Sequence, residues 1–412
     1  MIESLPERLW FKALSVALVV AALVMIIGFP WFRLDIAIYR VGGQAWLTGA
    51  DLYGHLPAET DGMSFPFTYP PIAAILFSPL ALIPLPVATI ANNLISLALL
   101  FLIFWWLMMN LGHAGRRQAI WWAALLTGLS AFFGPIASSF GFGQINILLM
   151  FAVLLDAFVV PPRFRGWLTG AAVAVKLTPG VFVVYYLVKR EWRSAVTAMV
   201  STVVFTGIGF AAAWSDSREY WTSVLWNTGR IGNPAYVSNQ SITGEVARLG
   251  ITGHFGTAIW IGLVVCVLAG AALLTRRLIE RGYPQLAIGA IALFGLLASP
   301  VSWEHHYVWV GPLIAALVLS AIGQSPKVRK VMLGLVVAGI VCFVLPPSLL
   351  PISHSTDGPP WAWYDNIIGN LYLIWAVAYL IAAWWLSSRL APVTAKDAPG
   401  TRPDRKAEPV AA

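Results

Sequence analysis

Long apolar runs, separated by short polar or basic connections, recur along almost the whole chain. They lie near residues 11–30, 87–111, 119–134, 144–160, 194–214, 256–274, 285–298, 307–323, 331–346 and 366–387. Runs of this kind predict helices long enough to cross about 30 Å of hydrocarbon. Two further stretches break the pattern. Residues 71–85 are short and interrupted by Pro79 and Pro84, and residues 167–188 are interrupted by Lys176 and Pro179. The first run is too long for a signal-peptide core and lacks an A-x-A cleavage site, so it reads as an uncleaved anchor.

Composition strengthens this picture. The 412 residues are 59% hydrophobic and 11% charged, where a soluble domain is about 25% charged. Mean hydropathy is +0.77. The net charge of +8 does not point to nucleic acid, because the basic residues sit in small clusters between apolar runs. Cys266 and Cys342 both fall within apolar runs and suggest neither a disulfide framework nor a metal motif.

Loop charge sets the expected topology. With the N-terminus, 112–118, 161–166, 189–193, 275–284, 324–330 and the C-terminal tail inside, 20 of the 26 Lys and Arg lie on the cytoplasmic side and five lie outside. Lys176 is left within the membrane. This parity requires 71–85 and 167–188 to re-enter or to be broken helices, and irregular backbone at such depth needs protein or a water-filled cavity around it. With both segments crossing fully, twelve spans form the competing assignment. The expectation is an all-α polytopic membrane protein of about ten to twelve transmembrane helices, residues 1–387 forming one domain. Its outer elements are 31–70, 215–254, 299–306 and 347–365. Residues 388–412 have no apolar period and read as a disordered cytoplasmic tail.

The residues able to do chemistry gather in the outer segments. Asp35 follows the first run, on a face shared with Tyr39 and Trp46. It is either a helix N-cap or a base held at the membrane boundary. Asp51 in GADLYG reads as a turn residue. FTYPP (67–71) holds Tyr69 beside a fixed bend and suits a rigid helix start. In GFGQIN (141–146), Gln144 and Asn146 can bond sugar hydroxyls or tie helices together. Lys176 is read as a phosphate contact, with a salt bridge to Asp156 as the alternative. The segment 226–241 gathers Arg230, Asn239 and Gln240 among aromatic residues. Its amides suit a sugar, and the Arg230 guanidinium suits a phosphate. In SWEHHY (302–307), Trp303, Glu304, His305 and His306 form a polar knot. Adjacent histidines lie about 100° apart on a helix and make a poor metal pair, so no metal site is expected.

The segments DIAIYRVGGQAWLTGADLYG, FTYPP, GFGQIN, KLTPG, NQS and SPVSWEHHY occur in this order across roughly residues 10–320. In them the chain resembles the actinobacterial polyprenol-phosphate-mannose-dependent α-mannosyltransferases of the GT-C class. The resemblance implies an extracytoplasmic active site and a donor of polyprenyl-phosphate-mannose. It also implies inversion from a β donor to an α product, and an aspartate base in the first outer loop, here Asp35. A histidine near the later outer turn is implied as well, either His305 or His306. Donor phosphate would meet Lys176 and Arg230, while Tyr39, Tyr69, Gln144, Asn146, Asn239, Gln240, Trp303 and Glu304 are candidates for sugar or acceptor contact. The implied acceptor is a phosphatidylinositol mannoside or lipomannan-type glycolipid in the plasma membrane, joined through an α-(1→2) bond. No cofactor is expected, and the absence of nucleotide motifs fits a lipid-linked donor. A transporter or lipid flippase is the alternative class, and transfer of another sugar such as arabinofuranose is the alternative within the class.

Overall fold

The computed structural model describes residues 4–28, 33–57, 64–112, 114–350, 352 and 360–393. Among them the chain is helical, and its one β-type pairing is an isolated antiparallel bridge between Asn239 and Trp303. The helices run α1 (Leu9–Gly28), α2 (Leu34–Thr48), α3 (Pro71–Ala81), α4 (Leu85–Asn110), α5 (Arg116–Ala131) and α6 (Gly134–Phe142). Next come α7 (Asn146–Phe158), α8 (Trp167–Val175), α9 (Phe182–Val188), α10 (Trp192–Ala212), α11 (Trp214–Thr222) and α12 (Ile242–Arg248). The last six are α13 (Gly253–Glu280), α14 (Pro284–Ala298), α15 (Val310–Ser320), α16 (Pro326–Phe343), α17 (Trp363–Gly369) and α18 (Leu371–Ser387). Helices dominate because an apolar segment in lipid must satisfy its own backbone N–H and C=O groups.

Among the described residues, four helices, α1, α4, α10 and α13, are long and apolar enough to cross a membrane, and the number rises to six if each of two bent pairs counts as one span. Their outer faces carry exposed Val20, Val203 and Val265, and α18 exposes Ile381. In water such surfaces would aggregate, whereas in lipid they are solvated. The protein is a multi-pass membrane protein. The runs near 144–160, 285–298 and 307–323 form shorter helices of 13, 15 and 11 residues. At 1.5 Å per residue these reach only about 16–23 Å. A 3₁₀ turn, Glu304–Trp309, runs directly into α15 and lengthens it.

The run read as a span at 119–134 bends instead. Helices α5 and α6 meet at 74°. At this corner Pro135 cannot donate a backbone hydrogen bond. Gly134 is needed too, since a Cβ there would sit 2.5 Å from the Tyr372 hydroxyl. Segment 71–85 forms the 11-residue α3, started by Pro71 and packed along α2. Segment 167–188 breaks at Lys176 between α8 and a 3₁₀ turn, Thr178–Val181.

Buried polar groups are fastened locally. Asp156 on α7 is fully buried and accepts from Gly166 N (2.9 Å), Thr169 N (3.0 Å), Thr169 Oγ1 (2.7 Å) and Tyr186 OH (3.1 Å). It thereby caps the N-terminal end of α8, where an anion is favoured. Core aromatics behave likewise: Trp375 Nε1 donates to Leu335 O and Tyr379 OH to Leu286 O. After α18 the chain stays attached. Arg281 donates to Leu390 O, Tyr283 OH to Ala391 O, and Val393 N to Arg281 O. The rest of the tail, 394–412, lies outside the described residues.

Replacing Asp156 by Ala strands these donors, each costing about 1–3 kcal/mol when left unpaired in the interior. D156A should therefore melt well below the wild type in detergent, with D156N intermediate. A melting temperature within a degree of wild type would contradict this assignment.

Candidate active site

The site grows from the start of α2. Arg33 holds a left-handed backbone (φ 56°) and donates its N–H to Gly141 O at 2.9 Å. A non-glycine residue in that region is strained by about 1–3 kcal/mol. The strain turns the chain into α2 with Asp35 in the first turn, near the positive end of the helix dipole. One turn on, Tyr39 is fully buried and stacked on Phe77. Its hydroxyl lies 3.1 Å from Tyr69 OH and donates to Gln144 Oε1 at 2.9 Å. Phe67 and Tyr69 reach this position because α2 has Gly42 where a Cβ would collide with the Phe67 ring.

Helix α6 ends at Gly143, in the left-handed region (φ 71°). A Cβ there would lie 2.7 Å from Ile36 Cβ, so glycine lets the 141–146 turn press against α2. Gln144 and Asn146 are thereby delivered beside Lys176. The Lys176 Nζ donates to Asn146 Oδ1 (2.9 Å) and Gln144 Oε1 (3.4 Å), lies 3.5 Å from His306 Nε2, and sits over the Tyr69 ring. Asn146 Nδ2 in turn donates to His305 O at 2.9 Å, and Gln144 Nε2 stands 3.2 Å from His305 Nε2. The two histidine rings meet edge to face at 4.8 Å. Asp156, the alternative partner of Lys176, is engaged at the opposite end of α8.

Burial pushes the Asp35 carboxyl up to about 6, against the opposing pull of the Lys176 charge and a hydrogen bond from Gln144. Burial holds both histidines well below their ordinary value, and the Lys176 charge adds to the effect. Near neutral pH the arrangement is an ionised carboxylate facing a lysine whose contacts are neutral amide oxygens and neutral imidazoles. Such a set can take a proton at Asp35 and receive an anion at Lys176.

Asp35, Tyr39, Tyr69, Gln144, Asn146, Lys176, His305 and His306 are brought together. The other candidates are not. Glu304 turns away, its oxygens accepting from Ser138 Oγ (3.1 Å), Ser238 Oγ (3.1 Å), Ser348 Oγ (2.8 Å) and Ser348 N (3.1 Å). Asn239 is fully buried and accepts from Ser302 N and Ser241 Oγ. Gln240, also fully buried, donates to Val237 O and Gly369 O. Trp303 pairs its backbone with Asn239 and sets its ring against Tyr236. Arg230 Nη2 donates to Tyr53 O at 2.7 Å, and Tyr53 OH to Tyr69 O, so Arg230 reaches the cluster only through the outer-loop backbone. The sequence did not single out Phe142, which packs on His305 at 4.9 Å, or the strained Arg33. The glycines flanking Phe142 were the available signal. Among the described residues no three His, Cys, Asp or Glu side chains gather to hold a metal ion.

Two cavities accompany the site. One of about 50 Å³ lies behind His306 and is bordered by Asn146, Ser302 and Trp309. The other, about 410 Å³, is apolar and is walled by α4, α5, α15 and α16, away from the polar cluster.

The sequence profile of glycosyltransferase family 87 matches residues 67–300. A polyprenol-phosphate-mannose-dependent alpha-(1-2)-phosphatidylinositol mannoside mannosyltransferase of Mycobacterium tuberculosis is 40% identical over 370 residues, covering 85% of this chain and 84% of the relative. Its counterpart of the same description in Mycolicibacterium smegmatis is 37% identical, covering 93% and 91%. A phosphatidylinositol pentamannoside mannosyltransferase of M. tuberculosis is 32% identical, covering 86% and 81%. The chain belongs to glycosyltransferase family 87.

The raised Asp35 value has a consequence for stability. A carboxyl that binds its proton more tightly folded than unfolded stabilises below its unfolded value of about 3.8, and that contribution is lost as pH rises through about 6. D35N, uncharged throughout, should raise the melting temperature by a few degrees at pH 7.5 and change it little at pH 4. A lower melting temperature at pH 7.5 would overturn this reading.

Proposed function

We propose that the protein is a membrane-embedded mannosyltransferase that moves mannose from polyprenyl-phosphate-mannose to a glycolipid of the phosphatidylinositol mannoside class. The bond formed is α-(1→2), made with inversion on the extracytoplasmic side, with both termini in the cytoplasm. The relatives at 37–40% identity carry this donor and acceptor class in their names. The distribution of Lys and Arg between loops supports the sidedness.

The observation that carries the reading is the Asp35–Lys176 pair. One group is anionic, the other cationic, and amides and neutral imidazoles stand around them. Single displacement needs this arrangement. Asp35 takes the proton from the acceptor hydroxyl as its oxygen attacks the anomeric carbon. The bond from that carbon to the phosphate oxygen breaks, and its electron pair leaves with the polyprenyl phosphate. Lys176 receives the developing charge. Because no carboxylate among the described residues contacts its ammonium directly, most of the positive charge remains available to the phosphate. His306 adjoins Lys176 and is placed to touch the same group. Phosphate is a good leaving group, so the scheme asks for no general acid.

Full-length protein in proteoliposomes, given polyprenyl-phosphate-mannose and a phosphatidylinositol mannoside acceptor, tests the assignment. D35N should lose about 10²–10⁴-fold in kcat while remaining folded. K176M should lose kcat and weaken donor binding together. Since Asp35 must be ionised to accept the proton, wild-type activity should fall as pH drops through about 6. Near-normal turnover by D35N would remove Asp35 from the mechanism. Lipid flux without glycosyl transfer would favour a transporter instead.

A further inference from the structure

One side chain, that of Gln144, links Tyr39, Lys176 and His305. Gln144 is 2% exposed, and both ends of its carboxamide are engaged. Which end is oxygen follows from Lys176, since an ammonium can only donate and the atom it approaches must be Oε1. Tyr39 OH donates to the same oxygen. The nitrogen end must then donate. It stands 3.2 Å from His305 Nε2, and the same amide favours the ionised form of Asp35. A nitrogen that accepts there carries a lone pair, so the His305 proton sits on Nδ1. His305 Nδ1 is buried and, among the described residues, has no hydrogen-bond partner. A buried donor without an acceptor is costly unless a ligand supplies one.

We propose that Gln144 is a positioning residue that fixes the proton pattern of the site. Through one amide it presents Asp35 as an acceptor and locks His305 in the Nδ1–H tautomer, leaving that N–H to donate to an oxygen of the sugar or its phosphate. This rests on Asp35 being the base. It also divides the histidines: His305 is oriented by Gln144 and donates from Nδ1, while His306 faces Lys176. Gln144 itself does no chemistry and contacts no substrate.

The test uses the full chain in nanodiscs and has two arms. In the first, ¹⁵N spectra of histidine-labelled wild type are taken without substrate, and the His305 signal is assigned by its loss in H305Q. The expected signal is Nδ1–H, and in Q144L it should give way to a mixture of tautomers. In the second, pH profiles are measured with polyprenyl-phosphate-mannose and a phosphatidylinositol mannoside. Q144L should lower kcat about 10–100-fold, the usual cost of removing an orienting partner, with donor and acceptor KM within about threefold. Its acid limb should move to higher pH, because Asp35 has lost a hydrogen bond that favoured its ionised form. Raising the pH should then restore part of the rate.

An Nε2–H tautomer for wild-type His305 would overturn the proposal, whether or not Q144L folds. So would a Q144L enzyme with raised KM and an unmoved acid limb, which would make Gln144 a substrate contact. If the wild type shows the Nδ1–H tautomer and transfers no mannose, the functional reading fails while the positioning role of Gln144 stands.

Discussion

The site depends on a lysine ammonium held at a helix break by amide oxygens. Lys176 ends α8 in an extended conformation (φ −149°, ψ 121°), and its Nζ finds Asn146 Oδ1 at 2.9 Å and Gln144 Oε1 at 3.4 Å. Neutral acceptors orient a cation without cancelling it. A carboxylate in contact would have steadied the same nitrogen more strongly and removed its attraction for an incoming anion. The neighbouring elements serve this choice. The break at Lys176 exposes the side chain, Gly143 lets the Gln144–Asn146 turn approach, and the 3₁₀ turn after Trp303 brings His306 to 3.5 Å.

The frame around the cluster is made of buried polar groups tied by several hydrogen bonds each. Glu304 binds three segments, 138, 238 and 348, to the histidine turn. Asn239 and Gln240 stitch the 233–241 loop to Ser302 and Gly369. Arg248, fully buried, donates to Asn239 O and Asn370 and lies over the Trp361 ring. Each is held by several hydrogen bonds, so each resists displacement. A cluster that gathers an acid, a cation and two imidazoles needs such a frame to hold its members in place.

Much of the site was legible because its residues violate their surroundings. A lysine inside an apolar run and an aspartate just past one have few bland explanations, and the i, i+4 spacing of Asp35 and Tyr39 puts both on one face. The outer loops were harder. Arg230, Asn239, Gln240 and Glu304 have the composition of a sugar site, yet they hold loops together, since an amide bonds a backbone carbonyl as readily as a hydroxyl. Sequence carries no signal for which of these an amide will meet. The fold shows the same division. The break at Lys176 and Pro179 is visible in the chain, while the 74° corner between α5 and α6 is marked only by Gly134–Pro135 at the end of an apolar run, which does not reveal its angle. There Gly134 matters for what it packs against, the Tyr372 hydroxyl, far away along the chain.

Asp35 and Lys176 also show why function and stability pull apart here. Desolvating Asp35 raises its affinity for a proton, which makes it a better base and a less comfortable ion. Among the described residues no carboxylate contacts Lys176, which suits the phosphate role proposed for it and makes it a poorer structural residue. Closing the two into a salt bridge would relieve both costs and end the chemistry. Strain at Arg33 and close packing at Gly143 fix where α2 begins relative to the 141–146 turn. On the proposed mechanism, the attraction of the pair is drawn on when an acceptor hydroxyl meets Asp35 and a departing phosphate meets Lys176, where it lowers the barrier rather than the ground state.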